Sequence, residues 1–188
     1  MSHFTKITTK IEDLEILAQV AKQMGFTLSK NAMCRYYFGT EMKDAVIKLP
    51  GSFDVGLVKE GNHYTITADL YDSEVERYIG VRGNTLLQKY AAEKTRQEAF
   101  QRGLSVTESE EDGKTILTLM DTETGGELKI SCNKNGKIKV HASGFQGGAC
   151  MKFKELEESL GIVDECELTA DYYIVPQERN VETVGIVV

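Results

Sequence analysis

The residues best suited to chemistry in this chain lie in one stretch, SGFQGGACMKFKELEESLG, residues 143 to 161. Gly144, Gly147 and Gly148 run into a helix whose unpaired N–H groups and dipole favour an anion. A phosphate or other small anion held by Gly144, Phe145, Gly147, Gly148 and Cys150 is therefore one expectation. The motif is not a P-loop, since no Lys followed by Ser or Thr closes it, and its glycines do not follow G-x-G-x-x-G spacing. Cys150 falls in the first helical turn, where a thiolate is stabilised, so a thiol-dependent enzyme or redox protein using Cys150 is a second alternative. Against both stands a plainer reading: a glycine-rich turn seats a packed sulfur beside a buried stripe of Ala149, Phe153, Leu156 and Leu160. Lys152 and Lys154 near the helix start, with Glu155, Glu157 and Glu158 beyond, reverse the order that the dipole prefers, and a bound anion or partner would offset that.

The other cysteines, Cys34, Cys132 and Cys166, are far from Cys150 and from one another and form no C-x-x-C pair. They read as reduced, mostly buried thiols, so neither a structural metal nor a cofactor is expected. His63, between two strand-like runs, reads as a turn residue, and Glu110, Glu111 and Asp112 as solvated charge rather than an acid/base couple.

Basic residues concentrate just before and around the glycine-rich stretch. Residues 127–154 hold six basic side chains against one acidic, and residues 155–188 one against nine, while the whole chain carries a net −7. The acidic total argues against a general nucleic-acid binder, which needs cations to displace counterions from phosphates. The local excess predicts a basic docking surface of Lys129, Lys137, Lys139, His141, Lys152 and Lys154. The alternative is a solvated face whose lysines keep a sheet edge from pairing with other chains.

The register of the hairpin ELKISCNKNGKIKVHAS decides which of these side chains meet. A two-residue turn at Asn135-Gly136 would set Ile130 opposite His141 and scatter the apolar residues over both faces. A three-residue loop, Lys134-Asn135-Gly136, pairs Cys132 with Ile138, Ile130 with Val140 and Leu128 with Ala142, and makes one face uniformly apolar. Lys129, Ser131, Lys139 and His141 then face away from Cys132, which excludes a Cys132–His141 catalytic pair. No catalytic residue is assigned.

The elements that position these residues follow from periodicity. FTKITTKI alternates as a strand. IEDLEILAQVAKQMG recurs at helical spacing and ends at Gly25. DAVIKLP, SFDVGLVKEG and HYTITADLY read as strands, the last two joined in a hairpin at Glu60-Gly61-Asn62. NTLLQKYAAEKTRQEAFQRG reads as a second helix, capped by Asn84 and closed by Gly103, although its apolar stripe is poorly defined. LSVTESEEDGKTILTLMD is a hairpin around Asp112-Gly113, and ECELTADYYIV a final strand. This order predicts an α+β fold, an antiparallel sheet with helices packed on one face, plus a smaller C-terminal ββαβ unit. The expected division is 1–124, 125–175 and a tail, 176–188, whose apolar end has no evident place in a core. The absence of a long apolar run or of a signal-peptide core predicts a cytoplasmic protein without membrane contact, or one of the plastid stroma if the source is an alga.

Two resemblances rest on these segments. Residues 1 to about 120, with MSHFTKITTKIEDLEIL, HYTITADLYD and LLQKYAAEKTRQEAFQRGLSV, resemble the uncharacterised plastid and cyanobacterial reading-frame-35 family, domain of unknown function 1257. Residues 126 to about 173, carrying NGKIKVHASGFQGGACMKFKELEESLG, resemble domain of unknown function 2997, whose pattern is approximately G-F-K-G-K-S-C before an amphipathic helix. Gly144, Phe145, Gly147 and Cys150 match that pattern. Gln146, Gly148 and Ala149 stand where it has two lysines and a serine, which weakens an inherited anion-binding role. Neither resemblance supplies an activity. They imply a protein partner, an AAA-type ATPase, since members are often encoded near one another and near such ATPases. The implied role is a non-enzymatic adaptor or accessory subunit, with its oligomeric state open.

Overall fold

The computed structural model describes residues 3–69, 73–122, 125–133, 135, 137–145 and 153–168. In chain order the elements are β1 (His3–Thr9), α1 (Leu14–Gln23), β2 (Thr27–Tyr36), β3 (Gly39–Lys48), β4 (Val55–Glu60), β5 (His63–Ala68), α2 (Glu74–Ile79) and α3 (Asn84–Gln101). They continue with β6 (Ser105–Glu111), β7 (Lys114–Met120), β8 (Glu127–Cys132), β9 (Lys137–Ser143), α4 (Lys154–Leu160) and β10 (Gly161–Leu168). The strands form two antiparallel sheets, one of six strands ordered β10-β1-β9-β8-β7-β6 and one of four ordered β2-β3-β4-β5. The α+β class expected from the element order is the class observed.

Each sheet has its own apolar cluster. The four-stranded sheet packs Ala45, Ile47, Val55 and Leu57 against Ile16, Leu17, Val20 and Ala21 of α1 and Val75 and Ile79 of α2. The six-stranded sheet packs Leu117, Leu119, Leu128, Ile130, Ile138 and Val140 against α4. Helix α3 serves both. Leu86 and Tyr90 belong to the first cluster, and Ala91, Ala92 and Ala99 to the second. At 100° per residue these two sets lie on opposite sides of the helix. That is why its sequence lacks a clean stripe: a helix buried on two sides has none.

Local signals fix the boundaries. The Asp13 carboxylate accepts N–H bonds from Glu15 (2.7 Å) and Ile16 (3.2 Å), capping α1, and Gly25 at φ +84° turns the chain out of it. The N-cap of α3 corrects the sequence reading: it is Gly83 in the left-handed region, and Asn84 is the first helical residue, its amide donating instead to Asn135 Oδ1 at 3.0 Å. The Asp112-Gly113 turn, with both residues at positive φ, joins Glu111 to Lys114 as a tight hairpin.

Two elements were not anticipated. Strand β2 alternates poorly because its side chains are exposed or half-buried over most of its length, and Asn31 at φ +49° kinks it midway. Helix α2 has six residues, too few to show a period.

Tyr90 ties the two helices together. Its buried phenol oxygen accepts the N–H groups of Glu12 and Asp13, both at 3.0 Å, just before α1 begins. Tyr90→Phe leaves two donors unpaired and is expected to cost about 1.5 kcal/mol in urea unfolding, with the fold retained.

Candidate functional site

The register of β8 with β9 is the one derived from apolar pairing: Leu128 faces Ala142, Ile130 faces Val140, and Cys132 faces Ile138. Asn133 N–H donates to the Lys137 carbonyl at 3.0 Å, closing the three-residue loop. The intervening positions therefore point to the opposite face of the six-stranded sheet, where Lys129 sits across from His141 and Ser131 across from Lys139. Among the described residues α3 and α4 pack on the apolar face, and no helix covers the lysine face. Lys129 lies 3.6 Å from Glu111. Lys137 and Lys139 are exposed and form no ion pair among the described residues. Strand β1 lies beside β9, with Lys6 the backbone partner of Lys139. Local sequence carries no signal for that pairing, because it joins segments more than a hundred residues apart.

Of the remaining basic residues of the expected surface, the one that is described does not join it. Lys154 opens α4, on the other side of the sheet, and lies 3.8 Å from Glu158. Lys152 is outside the described residues, as are Gly147, Gly148 and Cys150 of the glycine-rich stretch.

The described part of that stretch turns and then packs. Gly144 holds φ +75°. Phe145 follows it into the apolar cluster, 4% exposed, with its ring 5.2 Å from that of Phe153. It rests on the α-carbon of Gly126, where a Cβ would overlap the ring. Phe153, Leu156 and Leu160 are buried with it, as the stripe predicts.

The two described thiols, Cys34 and Cys132, are packed, and burial sets their chemistry. Cys132 is fully buried and its thiol is pushed up to about 12 by desolvation. His141 lies on the opposite face of the sheet, so its imidazole does not reach that sulfur. Cys34 is also fully buried, and desolvation raises it as well. Among the described residues no three His, Cys, Asp or Glu side chains gather as a metal site would require. No described helix is long and apolar enough to cross a membrane.

A second charged centre was not visible in the sequence. Asp54, fully buried, accepts five bonds: from the Arg35 backbone N (3.1 Å), Arg35 Nε (2.9 Å), Arg35 Nη2 (2.7 Å), Lys48 Nζ (3.0 Å) and Leu49 N (3.2 Å). Its own N–H donates to the Arg35 carbonyl at 3.0 Å. Desolvation alone would raise its pKa, but these donors outweigh it and hold the carboxyl at about 2. The result fastens the far half of the β2–β3 hairpin, beyond the kink at Asn31, onto the loop before β4.

Elsewhere, a cleft of about 520 Å³ between α1 and α3 is lined by its own ion pairs, Lys94 with Glu12 at 3.1 Å and Lys30 with Glu15 at 2.6 Å. The hydrogen bond to Glu15 raises the Lys30 pKa.

Comparison with known proteins places the two halves of the sequence separately. Residues 11–119 match the family model described as "Protein of unknown function (DUF1257)", and residues 128–173 the one described as "Protein of unknown function (DUF2997)". The chain is similar to proteins called "Uncharacterized protein ycf35" from three algae. The one from Pyropia yezoensis is 29% identical over 123 residues, 62% of this chain and 96% of the relative. That from Guillardia theta is 30% identical over 63% of this chain and 96% of the relative, and that from Cyanophora paradoxa 29% over 64% and 95%. The two family matches divide between residues 119 and 128. The six-stranded sheet runs across that division, with β7 on one side hydrogen-bonded to β8 on the other.

Proposed function

We propose that this chain, which belongs to the family described as "Protein of unknown function (DUF1257)", is a non-enzymatic accessory protein that docks on a protein partner through the lysine face of its six-stranded sheet. The observation that carries the reading is the row of Lys129, Lys137 and Lys139 beside His141 on a sheet face that, among the described residues, has no helix over it and leaves two of the lysines without a carboxylate partner. Unpaired cations spaced along one strand, β9, form a pre-organised surface for acidic side chains. They also steer encounter more than they deepen affinity. An AAA-type ATPase is the partner that the family resemblance supports, and the chain acts there as an adaptor rather than a catalyst.

Purified protein is expected to co-elute with an ATPase of this type from its own source, to change its turnover, and to lose the association as salt rises. Reversing three charges, Lys129→Glu with Lys137→Glu and Lys139→Glu, should weaken the association by about tenfold or more without lowering the melting temperature, since all three side chains lie off the core. Unchanged binding by the folded triple variant would refute this docking face.

A further inference from the structure

Strand β1 lies ahead of both family matches and leads directly into α1, inside the first of them. Among the described residues it pairs with no strand of the four-stranded sheet. It runs instead between β9 and β10, with Thr5 across from Val140 on one side and from Cys166 on the other. Both of those strands belong to the second match, and β1 holds them apart by two strand spacings, roughly 10 Å. Without β1 the second region keeps one hairpin, β8–β9, beside an empty slot, and a lone hairpin is marginal in water. The first region has the complementary defect. Without β8 the backbone of β7 is an open edge, and Ala91, Ala92 and Ala99 of α3 lose the Leu128, Ile130, Ile138 and Val140 side chains that share their cluster. The three algal relatives match over 95–96% of their own length yet cover less than two thirds of this chain, so more than a third of it has no counterpart in them.

We propose that this chain is two binding partners joined at the turn that Asp121 closes by donating its N–H to the Gly126 carbonyl at 2.9 Å. The second region is a strand acceptor. The first region fills it with β1 and offers the β7 edge and the alanine side of α3. The partner that this surface fits is a module of the family matched by residues 128–173, carried in cis here and able to bind in trans. Recognition is by strand donation: ladder hydrogen bonds on both sides of β1 supply affinity, and register sets which residues meet. Covalent joining raises the effective concentration of the two regions without adding a contact. The pairing uses backbone and apolar side chains and none of the sheet lysines, so docking on the lysine face can fail while this pairing holds.

Cutting the join tests it. A short protease site inserted between Glu123 and Thr124 lets the full chain fold before it is cut. The two pieces should stay in one particle. Separated in urea and returned together to native buffer, they should re-pair one to one with a Kd of about 1 μM or tighter. The second piece returned alone should show no protection of its β9 amides from hydrogen exchange, and should gain it when the first piece is added. Lys6→Pro removes an N–H from the middle of a doubly paired strand and should weaken re-pairing by about 100-fold, whereas Lys6→Val keeps the N–H and should re-pair as the native piece does. Pieces that fail to re-pair overturn the proposal. So does a second piece that protects β9 on its own, or a Lys6→Pro piece that binds like the native one.

Discussion

Asp54→Ala loses about 3–5 kcal/mol of unfolding free energy and shifts the urea midpoint accordingly, the outcome expected when one partner of a buried charge cluster is removed. Five donors converge on this carboxylate, including both charged side chains. Without it the Arg35 and Lys48 cations face each other with no counter-charge between them. The acid dependence identifies the cause. The folded-state pKa is depressed from 3.8 to about 2, so the associated stability is present above the unfolded value and is lost as pH falls through the folded one. The native chain should lose roughly 2 kcal/mol in this way between about pH 5 and pH 2. The variant has nothing at this site to protonate, so its acid slope should be shallower. Equal slopes in the two proteins would show that the cluster does not hold the hairpin.

The second large effect is expected at Gly126. Its backbone lies outside the left-handed region, so alanine meets no conformational penalty there, yet the added methyl would overlap the Phe145 ring. Because Phe145 is closely packed with Phe153 and the surrounding leucines, the ring cannot retreat without opening the cluster. Gly126→Ala should therefore cost about 3 kcal/mol, the upper end for overpacking a core. A smaller ring-site residue tests the assignment: Phe145→Leu should cost less in the Gly126→Ala background than in the native one, a coupling that a double-mutant cycle measures. Strict additivity would mean that the two positions do not touch.

What could be read in the chain before folding was whatever local patterning determines. The β8–β9 register followed from requiring one uniformly apolar face, and that requirement alone separated Cys132 from His141. The tight turns at Gly61-Asn62 and Asp112-Gly113 followed from residues that tolerate positive φ. Helix α1 followed from its spacing and its terminal glycine. The rest depended on contacts between distant segments. Strand β2 is held by a kink and a carboxylate eighteen or more residues away, and its exposed side chains show no alternation to read. The Asp54 cluster joins Arg35, Lys48 and Leu49, residues whose spacing suggests nothing in advance. Helix α3 concealed its role by being buried on two sides. Of the expected basic surface, the strand lysines share a face because alternation puts them there. Lys154 leaves it because α4 packs on the apolar side of the sheet.

The place of β1 has a consequence for biosynthesis. The first strand is paired on one side with β9, where Phe4 meets His141, and on the other with β10, where His3 meets Leu168. Its slot exists only after β9 and β10 have left the ribosome, so β1 must wait, unpaired, while every element between them is made. Such ordering makes assembly of the larger sheet slow and exposes a bare strand to chaperones or aggregation in the interval.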